Sequence, residues 1–201
     1  VDGLRVDHPD GLRDPEGYLD DLAGITGGAY TLVEKILEPG EMLPSTWATA
    51  GTTGYDALGL VDRVLTPPLE PGRLPVDDLD WTEMVHGTKR AVADGILGSE
   101  IRRIVRELPG GAPRAAATSL TGRLGARLRG DRAATPTPLG LPQDQVVDAV
   151  AELAACFGVY RSYLPHTRGY LDEALERART RRPDLASTFD ALAPVLSDAS
   201  Q

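Results

Sequence analysis

Gly3-Leu4-Arg5-Val6-Asp7-His8-Pro9-Asp10-Gly11-Leu12, taken together with Ala29-Tyr30-Thr31-Leu32-Val33-Glu34-Lys35, decides how this chain is read. Each stretch is a short apolar run that ends on a carboxylate, and the spacing from Asp7 to Glu34 leaves room for one helix between them. Residues two apart on a strand share a face. Gly3, Arg5 and Asp7 therefore point one way, and Leu4 and Val6 the other. In a barrel strand the first face looks inward, and Asp7 stands at the C-terminal mouth, where barrel active sites lie. The intervening helix is marked by Asp14 as its N-cap and Pro15 at its first position. Tyr18, Leu19 and Leu22 form its apolar face, and Gly24 is expected to end it.

Two carboxylates at the ends of neighbouring strands have a specific chemical use. A retaining glycosidase or transglycosidase needs one carboxylate as nucleophile and one carboxyl as acid/base, roughly 5 Å apart. Arg5 can hold the Asp7 carboxylate by a charge-assisted hydrogen bond and keep it ionised. An anionic Asp7 is expected in turn to raise the pKa of Glu34, so that Glu34 can act as an acid. Either motif alone is more often a structural ion pair or a solvated loop carboxylate. Both in order, each after a short strand and with one helix between, favour the catalytic reading.

The stretches GLRVDHPDGLRDPEGYL (3–19), VEKILEPGEMLP (33–44) and AGTTGYD (50–56) resemble the maltooligosyltrehalose synthases of the α-amylase superfamily, glycoside hydrolase family 13. The likeness is close from Gly3 to Asp56, with a weaker echo in FGVYRSYLP (157–165). The pattern Gly-x-Arg-x-Asp indicates only the superfamily; HPDGL together with VEKIL and GTTGYD is more specific. The resemblance implies that Asp7 is the nucleophile and Glu34 the acid/base. It implies that Arg5 supports the nucleophile and that His8 and Lys35 serve substrate binding. Gly51–Asp56, with Thr52, Thr53 and Tyr55, is then expected beside the acceptor glucose. The implied substrate is a maltooligosaccharide or other α-1,4-glucan, whose reducing-end linkage is converted to an α,α-1,1 linkage by an isomerase. The carboxylates supply the acid–base and nucleophilic work, so no metal or cofactor is expected. A third catalytic carboxylate, an Asp in a His-Asp-Thr-like motif, is expected after Gln201, and the first barrel strands before Val1.

On this reading the 201 residues are an internal piece of a longer enzyme, inactive alone. A barrel of this kind needs roughly 250 residues. The fold expected is mainly α with a few β-strands: a fragment of a (β/α)8 barrel carrying an inserted helical subdomain. Residues 1–54 form the partial catalytic barrel, 55–157 the helical insertion, and 158–201 a possible return to a barrel strand followed by helices. Two rivals use the same residues. One is another retaining α-glucan hydrolase or transglycosidase. The other is a non-catalytic helical module for glycan binding or interaction, with Asp7 and Glu34 in structural roles.

A net charge of −9 argues against nucleic acid or an anionic membrane as partner. Cys156 is alone, so no intrachain disulfide forms, and a reducing, cytoplasmic setting is expected. Its context, LAACFG, suggests a buried thiol without a metal or catalytic role. No apolar run has membrane-spanning length, and no signal peptide is recognisable.

Further along, residues 55–65 read as a helix with Ala57, Val61, Val64 and Leu65 on one face. Four prolines make 66–75 a loop. A helical stretch runs from about Asp77 to Leu108, bent or divided by Gly87, Gly95 and Gly98. Its Lys89–Arg90 and Arg102–Arg103 pairs are expected on a solvated face, and His86 in a structural role. Residues 109–141 read as a linker with a short helix on Leu120, Leu124 and Leu128. Pro142 opens a helix burying Val146, Val147, Val150, Leu153 and Phe157. Residues 158–163 have strand-like content, so a third barrel strand is expected there, with Tyr160, Arg161 and Tyr163 either lining a sugar site or packing across strands. Helices near 169–181 and 183–193 follow, the second limited by Pro194.

Overall fold

The computed structural model describes residues 2–68, 79–109 and 137–198. They fold into two compact units. One takes the residues up to Leu79 together with Gly158–Ser162; the other takes Asp80–Phe157 and the residues from Tyr163 onward. Leu79 closes the first stretch of the strand-bearing unit, and Gly158–Ser162 rejoin it.

The first unit is built on a three-stranded parallel sheet in the order β1-β2-β3. Strand β1 (Gly3–Val6) pairs with β2 (Tyr30–Val33) in the register Gly3↔Tyr30 to Val6↔Val33. The crossover is α1 (Pro15–Thr26). Asp14 caps it as expected, accepting from the Gly17 amide at 2.9 Å, and Pro15 occupies the first turn. The helix does not stop at Gly24. It runs on to Gly27, which adopts the left-handed conformation (φ 67°), while the Gly28 amide reaches back to Ala23 O at 2.8 Å. That is a Schellman ending, and Gly27 fits it because a Cβ would be strained there. Leu19 is buried, whereas Tyr18 is exposed.

The third strand is not at 158–163. It is β3 (Gly51–Thr52), inside the stretch expected to border the acceptor glucose, and it pairs with Leu32 and Val33 of β2. Residues 158–163 form a bend at Gly158–Tyr160 followed by irregular chain, despite their β-branched and aromatic content. α2 (Tyr55–Leu65) occupies the expected span, but it buries no residue: Val61, Val64 and Leu65 are all at least half exposed. Its N-cap is Gly54 at φ 90°.

The second unit is helical: α3 (Trp81–Asp94), α4 (Gly98–Glu107), α5 (Gln143–Cys156), α6 (Arg168–Arg181) and α7 (Ala186–Leu196). The break between α3 and α4 comes at Gly95, while Gly87 lies within α3. α5 is the central element. Val146, Val150 and Leu153 are buried on it, and the core continues through Ile101, Val105, Leu171, Leu175, Phe189 and Leu192. Pro194 does not end α7 before residue 194; it sits in the last turn. Residues 69–78, most of the proline-rich loop, and 110–136, with the expected helix on Leu120, Leu124 and Leu128, lie outside the described residues. Among the described residues no helix is long and apolar enough to cross a membrane.

Candidate active site

The register of the sheet places the carboxylates. Val6 and Val33 are partners, so Asp7 and Glu34 follow at the same level on adjacent strands, and the Glu34 amide donates to Val6 O at 2.7 Å. Arg5 lies between them. Its Nη1 is 3.0 Å from Asp7 Oδ1 and its Nη2 is 2.8 Å from Glu34 Oε1. Sequence reasoning assigned this guanidinium to Asp7 alone; it serves both. Interaction with the neighbouring Glu34 carboxyl, and then the charge and hydrogen bond of Arg5 and the charge of His8, hold the Asp7 pKa below its ordinary value against a desolvation that pushes it up. Asp7 is the more open of the two, with 72% of its side chain accessible against 22% for Glu34.

Tyr55 enters the same group. From the first turn of α2 its hydroxyl donates to Glu34 Oε1 at 3.4 Å. Thr52 turns to α2 instead, its hydroxyl donating to Asp56 Oδ1 at 3.1 Å and accepting from the Gly54 amide. The Thr53 amide donates to Val33 O, and its hydroxyl is buried without a partner among the described residues. Next to these residues an open cavity of about 680 Å³ is lined by Glu38, Met42, Thr52, Asp56 and Arg63 among others.

His8 stands in the left-handed region (φ 44°, ψ 53°), rare for a residue with a Cβ. It packs edge-on against Tyr160, with ring centroids 5.5 Å apart and the Tyr160 hydroxyl 3.4 Å from Nε2. Arg161 donates to the carbonyls of Asp10 and Leu12 at 3.0 and 2.6 Å. The segment read as a strand is thus a clamp on the loop behind Asp7. Tyr163 belongs to the helical unit.

Lys35, expected to contact substrate, is enclosed. Its ammonium lies 2.7 Å from Glu41 and 3.3 Å from Asp10, and all three side chains are buried. Neither acid was singled out from sequence. Nothing in the periodicity marks them, because neither lies in a regular helix or strand with an apolar face.

In the helical unit His86, Glu152 and Cys156 bring donor atoms within 4.8 Å of one another. His86 Nε2 is 2.9 Å from Glu152 Oε1, and Arg90 holds Oε2 of the same carboxylate at 2.9 Å. The Arg90 charge disfavours a cation there, so the group is better suited to a structural ion network, which extends to Asp94, Asp148 and Arg182. Arg90 is therefore only partly solvated, contrary to the face expected for Lys89–Arg90. Burial, reinforced by Glu152, pushes the Cys156 thiol up to about 11.

No family model matches the chain. Among curated proteins, two from Mycobacterium tuberculosis (strains CDC 1551 / Oshkosh and H37Rv), named as maltooligosyl trehalose synthase, are 34% identical over 205 residues, 98% of this chain and 23% of each relative. Among solved structures, the maltooligosyltrehalose synthase of Arthrobacter ramosus aligns over 98% of this chain and 23% of its own, with 44% identity and a TM-score of 0.75. A glycosyltrehalose synthase, DSM5389, aligns over 93% of this chain and 24% of its own, at 26% identity and a TM-score of 0.55. The chain spans about 23% of the length of the curated relatives it matches.

Proposed function

We propose, for a chain homologous over nearly its whole length to one segment of the maltooligosyltrehalose synthases, that its parent enzyme rearranges the reducing end of maltooligosaccharides by retaining double displacement. The three parallel strands are read as part of a (β/α)8 barrel of glycoside hydrolase family 13. The observation that carries the chemistry is the Asp7–Glu34 pair at adjacent strand ends beneath one shared guanidinium.

Asp7, kept ionised by its surroundings, attacks the anomeric carbon of the second sugar from the reducing end. Glu34 gives its proton to the departing glucose oxygen, and a glycosyl-enzyme forms. The glucose is retained and turns. Its anomeric hydroxyl attacks the same carbon while Glu34 takes the proton back. The product carries an α,α-1,1 linkage. A held glucose outcompetes water through its high effective concentration, and the Gly51–Asp56 stretch, through Tyr55, stands beside Glu34 where such a glucose has to sit.

The test uses the full-length parent and maltopentaose. Reducing ends should disappear with little free glucose. One new reducing end per cleavage would make the enzyme a hydrolase and overturn the reading. Glu34→Gln should cost roughly 10²–10⁴-fold on maltopentaose and far less in the first step on a substrate with an activated leaving group, since acid help matters less there.

A further inference from the structure

Lys35 is among the largest fully buried side chains of the described residues, at 1% exposure. It is enclosed together with two carboxylates, Asp10 and Glu41, each under a tenth exposed. Removing three charges from water is costly, and well-packed apolar side chains of similar shape often serve stability as well or better. What an ion triple adds is direction. Its three members come from three different segments. Asp10 lies three residues beyond Asp7. Lys35 follows Glu34 on the chain. Glu41 lies in the loop that leads on toward β3, and its second oxygen accepts from the Glu38 amide at 3.0 Å.

We infer that Lys35 is a positioning residue: buried between Asp10 and Glu41, it ties the loop behind Asp7 to the strand that carries Glu34, and so sets the relation between the two carboxyls. The inference rests on the catalytic reading of that pair. Lys35 then acts through Asp10, not on the sugar.

The loop it holds has little slack. Residues 8–12 are gripped from one side by Lys35 at the Asp10 carboxylate and from the other by Arg161 at the Asp10 and Leu12 carbonyls. Within the loop His8 keeps a left-handed backbone, which persists only where the surroundings hold it. A Cβ on Gly11 would come within 2.7 Å of the His8 ring, so this turn closes tightly against the histidine. Loosening Asp10 therefore frees His8 and, one residue earlier, the nucleophile.

The test is made in the full-length parent with two variants. Lys35→Met/Asp10→Asn/Glu41→Gln removes the cation with both anions, so no bare charge is left buried. Asp10→Asn alone is nearly isosteric and keeps the fold if the triple variant does not. The triple variant should lose on the order of 10²-fold in kcat, the scale of a displacement near 1 Å, with KM changed less than about threefold. Asp10→Asn should lose a smaller part in the same direction. In both, the Gly11 and Leu12 amides, which bond to His8 O and Pro9 O, should exchange with solvent faster. Wild-type kcat in the variant that folds would overturn the inference. A loss confined to KM would also overturn it, by making Lys35 a substrate ligand after all. A wild-type parent that leaves maltopentaose untouched would overturn the functional reading instead, and unchanged exchange at Gly11 and Leu12 would then still refute the tie.

Discussion

Asp7 and Glu34 leave the sheet side by side because the residues before them, Val6 and Val33, are paired in register. Adjacent strands lie about 4.8 Å apart. That is close to the roughly 5 Å separation a retaining pair requires. The register of the sheet thus brings the two strand-end carboxylates side by side, before any tie between the loops adjusts them. A slip of one residue in β2 would turn Glu34 to the opposite face.

Replacing Asp7 with Asn in the parent keeps the shape and removes the carboxylate proposed as nucleophile. Turnover should fall by roughly 10⁴–10⁶-fold, the scale seen when a covalent nucleophile is lost. Incubation of the Asp7→Asn variant with an activated glycosyl donor should leave no covalent adduct by mass spectrometry. An adduct on that variant would move the nucleophile elsewhere.

The pH dependence has a definite sign. The folded-state pKa of Asp7 is lowered, so its ionised form persists beneath the ordinary aspartate value of ~3.9 and is lost as pH falls through the lowered one. Any stability it contributes follows the same course: present above the unfolded value, lost through the folded one. The acid limb of kcat/KM should lie below ~3.9, and Arg5→Met should move it upward. A limb unmoved by Arg5→Met would mean that the guanidinium does not tune Asp7.

Tyr55 offers a hydroxyl to Glu34 and a ring to the space beside it. Tyr55→Phe isolates the hydroxyl. One neutral hydrogen bond is worth about 1 kcal/mol, so kcat should drop about fivefold with the product ratio kept. Tyr55→Ala also removes the ring and should raise the ratio of free glucose to non-reducing product. Equal product ratios for both variants would take the ring out of the acceptor site.

In the helical unit Phe189 is wholly buried in a core with Leu171, Leu175 and Leu192. Phe189→Ala should destabilise by about 3–5 kcal/mol, read from urea unfolding of the full chain. A cost below about 1 kcal/mol would mean that this core collapses around the lost ring.

The sheet and its two carboxylates were readable because local signals agreed: apolar runs ending on charges, with a capped helix between. The parts that were not readable depend on distant partners. A lysine beside Glu34 reads as exposed and available, and only Asp10 and Glu41, in separate segments, draw it inside. β3 is two residues of Gly and Thr, too short and too poor in β-formers to register as a strand. Tyr160 and Arg161 carry strand-like neighbours, yet their side chains bond to His8 and the loop carbonyls. Gly24 looked like a helix end, but a glycine costs only about 1 kcal/mol inside a helix, and the left-handed turn was available three residues later at Gly27.

The clamp of Arg161 on Asp10 joins residues 151 positions apart. A ribosome adds roughly 5–20 residues per second, so about 8–30 s separate the emergence of the loop behind Asp7 from that of the side chain that grips it. During that interval β1, α1 and β2 can form, but the loop behind Asp7 lacks one of its two restraints. Completion of the restraints on this loop is therefore timed by synthesis of Asp80–Phe157, the first part of the helical unit, which is encoded in between. Codon changes that slow translation across that stretch would lengthen the period in which a nascent chain carries Asp7 on a half-held loop.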